Sequence, residues 1–186
     1  MATHKFLIVV DMQNDFIDGA LGTREAVAIV AAAAKRIRAC REAGDTLIAT
    51  LDTHDEDYLK SQEGRNLPVP HCIRGTVGWQ LRPEIAEALG KDTIRVEKPT
   101  FGSVNLPEII AEKLAPGETP EFELLGLCTD ICVVSNALIL KAYFPEAPMC
   151  IHANCCAGVT PSKHKAALET LQSCQVAVMK NTAGEK

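Results

Sequence analysis

A chain of 186 residues is long enough for one domain with a full core and short for two, so we expect a single domain over residues 1–186. Apolar residues make up 47% of the chain and charged residues 23%, which argues against wholesale disorder. The net charge of -5, without a lysine/arginine cluster, argues against general nucleic-acid binding. We therefore expect a small-molecule partner and no nucleic acid.

The first apolar run, residues 6–10 (FLIVV), is too short for the core of a signal peptide and far too short to span a membrane. The expected location is therefore the cytoplasm, with no membrane partner. In that compartment the eight cysteines are expected to be reduced, so a disulfide framework is not predicted.

Short β-rich runs alternate with stretches of helical period along the chain. In chain order the pattern predicts strand 6–10, helix 24–43, strand 46–51, helix 83–89, strand 92–96, helix 106–114, strand 122–126, helix 131–143, strand 149–153, helix 161–173 and strand 175–179. The charged, proline-containing segment between residues 52 and 91 is the irregular part. This alternation predicts an α/β fold, a three-layer (α/β/α) domain with a six-stranded, mainly parallel sheet.

Reactive side chains follow four of the predicted strands. Asp11 follows the first strand, Asp52 and His54 the second, Lys98 the third, and a segment with two cysteines the fourth. Ligands of open α/β sheets bind outside the carboxyl ends of the strands. Each residue alone is more often a turn former, a solvated group or packing, but four such strand ends together indicate a catalytic edge.

The segment GLCTDICV allows three interpretations of Cys128 and Cys132: core packing, a redox pair, or a nucleophile with its neighbour. We expect Cys132 in the first turn of the following helix, capped by Thr129 or Asp130, where the helix dipole and a nearby cation favour its thiolate. Cys128 would lie in the strand-to-helix turn, where backbone N–H groups can stabilise an oxyanion. A redox pair is less favoured because the usual spacing is CxxC.

Metal-ligating residues occur in the irregular segment. Asp52, His54 and His71 form an aspartate and two-imidazole set that suits zinc, iron or manganese, although loop histidines are equally compatible with solvation. His152, Cys155 and Cys156 resemble a second ligand set, but we expect them to serve strand packing and the following turn.

Three motifs carry a resemblance to a known family. VVDMQNDF, EKPTFGS and GLCTDICV resemble, in order and spacing, the motifs of the isochorismatase-like cysteine hydrolases. The D-T-H segment followed by PHCIRGTVGWQL resembles the nicotinamidase/pyrazinamidase branch. The similarity runs from about residue 5 to about residue 180.

The resemblance implies the isochorismatase-like hydrolase fold and a catalytic triad of Asp11, Lys98 and Cys132. It implies a cis peptide before Cys128 and an oxyanion hole from the backbone N–H groups of Cys128 and Cys132. It also implies a divalent metal, zinc first and iron or manganese as alternatives, on Asp52, His54 and His71, with Glu63 as a further candidate ligand. A homo-oligomer is implied as well.

The resemblance implies an amidohydrolase that converts nicotinamide to nicotinate and ammonia through a cysteine thioester, as in NAD salvage. Nicotinamidases commonly carry a ring-stacking aromatic just before the second metal histidine, where this chain has Leu67-Pro68-Val69-Pro70. The substrate pocket is therefore expected to use Phe16, Leu21, Trp79 and Phe101. The alternative is another carboxamide or ureido hydrolase of the superfamily, whereas vinyl-ether cleavage is disfavoured because those enzymes lack a cysteine nucleophile. A non-catalytic binding subunit is disfavoured because every triad residue type is present.

Overall fold

The structure is a computed structural model that describes residues 2–179. Its centre is one parallel sheet with the strand order β3-β2-β1-β4-β5-β6. The strands are β1 (Thr3–Val10), β2 (Thr46–Asp52), β3 (Ile94–Lys98), β4 (Thr119–Leu127), β5 (Met149–Ala157) and β6 (Ala177–Met179). The predicted six-stranded α/β fold is thus confirmed, and every strand pairing is parallel.

Helices connect the strands. They are α1 (Asn14–Ile17), α2 (Arg24–Ala43), α3 (Gln62–Asn66), α4 (Pro83–Leu89), α5 (Leu106–Ala111), α6 (Val134–Tyr143) and α7 (Pro161–Ser173), with a 3-10 turn at Tyr58–Lys60 and a π-helical turn at Thr129–Val133. Because the sheet grows in opposite directions from β1 and from β4, right-handed connections place the helices on opposite faces. Contacts agree: α2 packs with α4, whereas α6 packs with both α5 and α7.

Several boundaries differ from the sequence prediction: β1 begins at Thr3, β4 spans Thr119–Leu127, β5 ends at Ala157, β6 begins at Ala177 and α6 begins at Val134. Strand β3 begins and ends two residues later than predicted, so Lys98 is its last residue rather than the start of the following loop. Helix α5 ends at Ala111 instead of residue 114. The predicted irregular segment contains the 3-10 turn and α3, which are too short to give a clear helical period.

Helix α2 covers the sheet with an apolar stripe. Thr23 caps its first turn by accepting a hydrogen bond from Ala26 N–H, and Gly44 ends it at a φ of 83°, a left-handed conformation that glycine adopts without strain. The stripe recurs every three or four residues, which is the period of one helix face, and consists of Ala26, Ile29, Val30, Ala33, Ala34, Ile37 and Cys40. Truncating a fully buried member such as Ile37 to alanine would cost about 2–5 kcal/mol.

A polar cluster interrupts the apolar contact between α2 and the sheet. We call it the α2–sheet cluster; its members are Arg36, Cys40, Glu123, Cys150 and His152. Arg36 Nη2 donates to Glu123 Oε1 at 2.5 Å, and His152 Nε2 lies 2.9 Å from Glu123 Oε2. Burial opposes the charged carboxylate, but hydrogen bonds from His152 and Arg36 outweigh it and lower the pKa of Glu123 to about 2.

The depressed pKa of Glu123 predicts an acid-sensitive contribution to stability. Because the folded-state pKa lies below the unfolded value, ionised Glu123 stabilises the fold above about pH 4.5, and this contribution is lost as pH falls toward about 2. Glu123→Gln should therefore lower the Tm at about pH 6. The difference in Tm between the variant and the unmodified protein should become smaller by about pH 3. Thermal unfolding followed by circular dichroism across this range tests it, with Glu146→Gln as an exposed control whose gap stays constant. A gap for Glu123→Gln that is equally wide at both pH values would contradict it.

Within residues 2–179, none of the helices combines the length and apolar character needed to cross a membrane. The same residues include all eight cysteines, and each is a free thiol.

Candidate active site

The four reactive strand ends meet at one edge of the sheet. Asp11 follows β1 directly, while Asp52 and Lys98 are the last residues of β2 and β3 and face each other in register. Cys132 lies in the π-helical turn that follows β4. Since the strand order reverses between β1 and β4, this edge is the topological switch point where α/β sheets bind ligands.

Lys98 joins the proposed acid to the proposed nucleophile. Its Nζ lies 2.7 Å from Asp11 Oδ2 and 3.6 Å from Cys132 Sγ. Thr50 Oγ1 donates to Asp11 Oδ1 at 2.6 Å, which orients the carboxylate. Asp11 itself adopts a left-handed backbone conformation with a φ of 48°, uncommon for a residue with a side chain and frequent at functional sites. The three predicted triad residues are therefore in contact and almost fully buried.

Burial dominates the protonation of this group. It raises the pKa of Asp11, although Lys98 opposes the shift, and it raises the pKa of the Cys132 thiol, which the negative charge of Asp11 raises further. Burial works against the charged ammonium of Lys98, but Asp11, Cys132 and Asp52 outweigh it and raise the lysine's pKa. Burial and the charge of Asp11 thus favour the neutral thiol of Cys132 over the thiolate that the helix dipole would favour.

The nucleophile's turn differs from the expected helix start. Residues Thr129–Val133 form a π-helical turn capped by Cys128, and neither predicted cap residue fills that role. Thr129 Oγ1 lies 2.8 Å from His164 Nδ1, and Asp130 Oδ1 accepts a hydrogen bond from Val159 N–H. Thr129 and Asp130 instead contact helix α7 and the loop between β5 and α7. The peptide bond between Leu127 and Cys128 is cis, as the resemblance implies.

Asn136 supports the nucleophile's turn and was missed in the sequence. Its Nδ2 donates to the Cys132 carbonyl at 2.8 Å, and its Oδ1 accepts from Ser103 N–H at 2.9 Å. It is completely buried and ties the turn to the loop that follows Lys98. One turn along the helix from Cys132, an asparagine amid apolar residues is the signal that could have indicated this role.

The predicted metal ligands converge beside the triad. Asp52, His54 and His71 each offer one donor atom, and the three atoms lie within 4.8 Å of one another. The Nε2 atoms of His54 and His71 lie 3.0 and 3.5 Å from Asp52 Oδ2. Burial opposes the charge of Asp52, but its interactions with His54, His71 and Lys98 outweigh burial and hold the pKa of Asp52 well below its usual range.

Two observations show that this donor set fits a divalent cation. His71 Nδ1 lies 2.8 Å from the Val69 carbonyl, and the carbonyl can only accept, so the N–H is on Nδ1 and Nε2 keeps its lone pair. His54 Nε2 is buried and has no hydrogen-bond partner. Both imidazoles therefore point unused nitrogens at the Asp52 carboxylate, an arrangement that suits zinc, iron or manganese.

Gln13 holds Asp52 in place and was also missed in the sequence. Its side chain is fully buried, donates to the Asp52 carbonyl at 2.8 Å and accepts from the Asp52 N–H at 2.8 Å. The amide thus satisfies both backbone groups of Asp52, a candidate metal ligand. Its position two residues after Asp11 places it at the same sheet edge, which is the only signal in the sequence.

Glu63 approaches the same centre from helix α3. Its Oε1 lies 3.8 Å from His54 Nε2 and 3.7 Å from His71 Nε2. Burial raises the pKa of Glu63 while the two histidines oppose the shift. Glu63 thus lies close to the donor set, and its role as a further ligand stays a prediction.

Removal of the Glu63 charge tests this role. We expect Glu63→Gln to weaken zinc binding by about 10- to 100-fold, the range seen when groups that support a metal site are lost. Competition against a chromophoric chelator measures the affinity. Glu56→Gln, at an exposed acid in the same loop, is the matched control and should bind zinc normally. Equal affinities for the two variants would make Glu63 a merely solvated acid.

A cavity of about 650 Å³ opens onto both the triad and the metal ligands. Of the four side chains expected to form the substrate pocket, Phe16, Leu21 and Phe101 line it. Trp79 does not line the cavity. Its indole N–H donates to Thr53 Oγ1 at 2.9 Å, so the tryptophan stabilises the loop after β2. The expectation for Trp79 was therefore wrong. Phe16 also packs edge-on against His71, with ring centroids 5.5 Å apart.

The sequence matches the family described as Isochorismatase domain over residues 5–183. Among characterised proteins, it is 28% identical over 157 residues to a nicotinamidase of Escherichia coli, an alignment that covers 71% of this chain and 74% of the relative.

Solved structures share the fold over nearly the whole chain. Nicotinamidase/pyrazinamidase PncA from Bacillus subtilis superimposes with a TM-score of 0.82 at 30% identity, covering 96% of this chain and 100% of the other. Pyrazinamidase of Pyrococcus horikoshii in complex with zinc gives 0.82 at 26% identity, covering 96% and 99%. N-carbamoylsarcosine amidase from Thermoplasma acidophilum gives 0.78 at 25% identity, covering 98% and 100%.

Proposed function

Because this chain belongs to the isochorismatase family and is a hydrolase that acts on amides, we propose that it converts nicotinamide to nicotinate and ammonia. One observation carries the proposal: Lys98 Nζ contacts both Asp11 Oδ2 and Cys132 Sγ, beside a cavity that also contains the Asp52, His54 and His71 donors. A triad and a metal site that open into one pocket suit a small ring whose amide is cleaved.

The reaction begins with proton transfer from Cys132 to Asp11. The buried thiol and the buried carboxylate both have raised pKa values, so the proton moves between groups that each resist a charge. Lys98 lies against both atoms and stabilises whichever one is negative. The thiolate sulfur then forms a bond to the amide carbon, and the carbonyl π electrons move to the oxygen.

The oxygen that becomes negative requires hydrogen-bond donors. Cys128 and Cys132 offer backbone N–H groups in the turn after β4. Asn136 holds the Cys132 carbonyl and so maintains the shape of that turn. Donors that are fixed before the reaction stabilise the oxyanion without reorganisation.

The tetrahedral adduct collapses with loss of ammonia. Asp11, now protonated, gives its proton to the departing nitrogen, the C–N bond breaks and a thioester to Cys132 remains. Asp11 then removes a proton from water, which attacks the thioester carbon. The C–S bond to Cys132 then breaks, the acid leaves, and the released thiolate recovers a proton from Asp11.

The residues that would hold the cation are Asp52, His54 and His71, with Glu63 as a further ligand. When bound, a divalent cation supplies a Lewis-acidic contact for the ring nitrogen of a pyridine and so orients the substrate. Phe16, Leu21 and Phe101 supply the apolar wall of the pocket, in place of the aromatic residue absent before His71.

A ureido or linear amide substrate is the second candidate. The missing aromatic favours it, as does the similarity in fold to an N-carbamoylsarcosine amidase. The same triad would act on either substrate, because both present a carbonyl carbon bound to an NH₂ group. The two candidate substrates would differ only in how the pocket binds the part of the substrate beyond this carbonyl group.

Steady-state ammonia release distinguishes the two. Protein supplied with zinc, manganese or iron in turn is assayed against nicotinamide, pyrazinamide, N-carbamoyl amino acids and aliphatic amides. We expect kcat/KM for nicotinamide to exceed that for the linear substrates by at least about 100-fold, which corresponds to about 2.7 kcal/mol of discrimination. Turnover confined to a linear amide or ureido acid would replace the nicotinamide proposal with the second candidate.

A further inference from the structure

The α2–sheet cluster lies away from the candidate active site. Glu123 precedes Cys128 by five residues along β4, or about 16 Å of extended chain, toward the end of the sheet opposite the catalytic edge. Glu123 pairs in register with Cys150 of the neighbouring strand, and His152 follows two residues later on the same face. Arg36 and Cys40 meet these side chains from one face of α2.

The cluster gathers the donor atoms of a metal site. Glu123, Cys150 and His152 each offer one ligand atom, and the three atoms lie within 4.8 Å of one another. Within the part of the chain that the structure describes, the other group that meets this criterion is the Asp52, His54 and His71 set. The two groups differ in chemistry because the group in the α2–sheet cluster contains the thiol of Cys150.

His152 has a lone pair that the protein does not use. The imidazole is 5% exposed, and its Nε2 lies 2.9 Å from the Glu123 carboxylate, which only accepts hydrogen bonds when ionised. The N–H is therefore on Nε2, and Nδ1 is unprotonated, buried and without a hydrogen-bond partner. The nitrogen that faces Glu123 is thus Nε2, so a cation held by both residues would bind Nε2 in place of its proton, which the vacant Nδ1 can accept.

The carboxylate is held from the side of α2. Arg36 binds it through Nε and Nη2, and the Cys40 thiol lies 3.8 Å from Oε2. Groups that orient a histidine or a carboxylate in this way commonly support metal ligands. Arg36 also balances the charge of Glu123, so the charge of a bound cation is met chiefly by the thiolate of Cys150.

We propose that Cys150, His152 and Glu123 form a second cation site, selective for zinc and similar borderline metals, that fastens β4 to β5 beneath α2. Thiolate and imidazole ligands select such metals over magnesium and calcium. Binding replaces the S–H proton of Cys150, which passes to solvent, with a metal–sulfur bond. Glu123 and Cys150 are partly exposed, which leaves a path for the ion. The site does not depend on the proposed function.

Cobalt reports thiolate ligation directly and therefore separates the two sites. Protein freed of metal by a chelator is titrated with Co²⁺ and then with Zn²⁺, and the near-ultraviolet charge-transfer band of a cobalt–thiolate bond is recorded. The active-site ligands contain no thiol, and Cys132→Ser removes the nearby nucleophile from consideration. Cys174→Ser, at a partly exposed cysteine elsewhere, is the matched control.

We expect the band in the unmodified protein, in Cys132→Ser and in Cys174→Ser, and its loss in Cys150→Ser and in His152→Gln. Bound zinc, measured by atomic absorption after gel filtration, should fall by one equivalent per chain in the latter two variants. If Cys150→Ser does not fold by circular dichroism, His152→Gln alone carries both expectations. Absence of the band in the unmodified protein, or its persistence in Cys150→Ser, would overturn the proposal.

Discussion

Cys132→Ala is expected to lower kcat by about 10⁴-fold or more while the fold is retained. The substitution removes the atom that forms the thioester, and loss of a nucleophile leaves only the contribution of binding and the oxyanion hole. Ammonia release with the best substrate measures the loss, and circular dichroism checks the fold. Mass spectrometry after a rapid quench should detect an acyl adduct on Cys132 in the unmodified protein and none in the variant.

Cys128→Ala is the matched control in the same turn. Its proposed role uses the backbone N–H, which alanine retains, so kcat should stay within about tenfold of the unmodified value. A loss as large as that of Cys132→Ala would mean that the Cys128 side chain takes part in the chemistry. A Cys132→Ala protein with near-normal turnover would refute the thioester mechanism itself.

Lys98→Met should be severely destabilising as well as inactive. The ammonium lies 2.7 Å from Asp11 and 3.3 Å from Asp52 and is 1% exposed, so its removal leaves two buried carboxylates without their shared cation. Breaking a buried ion pair by removing one partner costs about 3–5 kcal/mol. Urea denaturation should show a fall of that size in the free energy of unfolding.

The control for Lys98→Met is the double variant with Asp11→Asn. Because the asparagine carries no charge, the double variant should recover part of the lost stability while remaining inactive. Lys165→Met, at an exposed lysine on α7, should change stability by less than about 0.5 kcal/mol. A Lys98→Met protein as stable as Lys165→Met would contradict the charge balance of the site.

The sequence predicted the residues that stand at strand ends. A parallel sheet places the carboxyl ends of its strands together, so Asp11, Asp52, Lys98 and the two-cysteine segment could be assigned to one edge before any distance was known. The metal-ligand prediction depended more on the resemblance, because an aspartate and two histidines suit a metal but loop histidines are equally compatible with solvation. These assignments depend on chemistry that a single residue carries.

Other features depend on contacts between distant segments. Trp79 was expected in the pocket because it is aromatic and nearby in sequence, yet its N–H is used by Thr53. The π-helical turn arises where Thr129 and Asp130 contact α7 and the loop that precedes it, and no local propensity encodes these contacts. Gln13 and Asn136 satisfy backbone groups on other elements, and such roles leave no periodic pattern in the sequence. The single-domain boundary and the homo-oligomer stay predictions.

The carboxylate of Asp52 belongs to two sites at once. Its Oδ1 lies 3.3 Å from Lys98 Nζ, whereas its Oδ2 faces the imidazoles of His54 and His71. A substitution at Asp52 therefore disturbs the electrostatics of the nucleophile even when no metal is involved, so lost activity in Asp52→Asn would not identify a metal requirement. His54 contacts Asp52 on the side of the candidate metal site, away from Lys98. A substitution at His54 therefore tests metal dependence without disturbing the nucleophile directly.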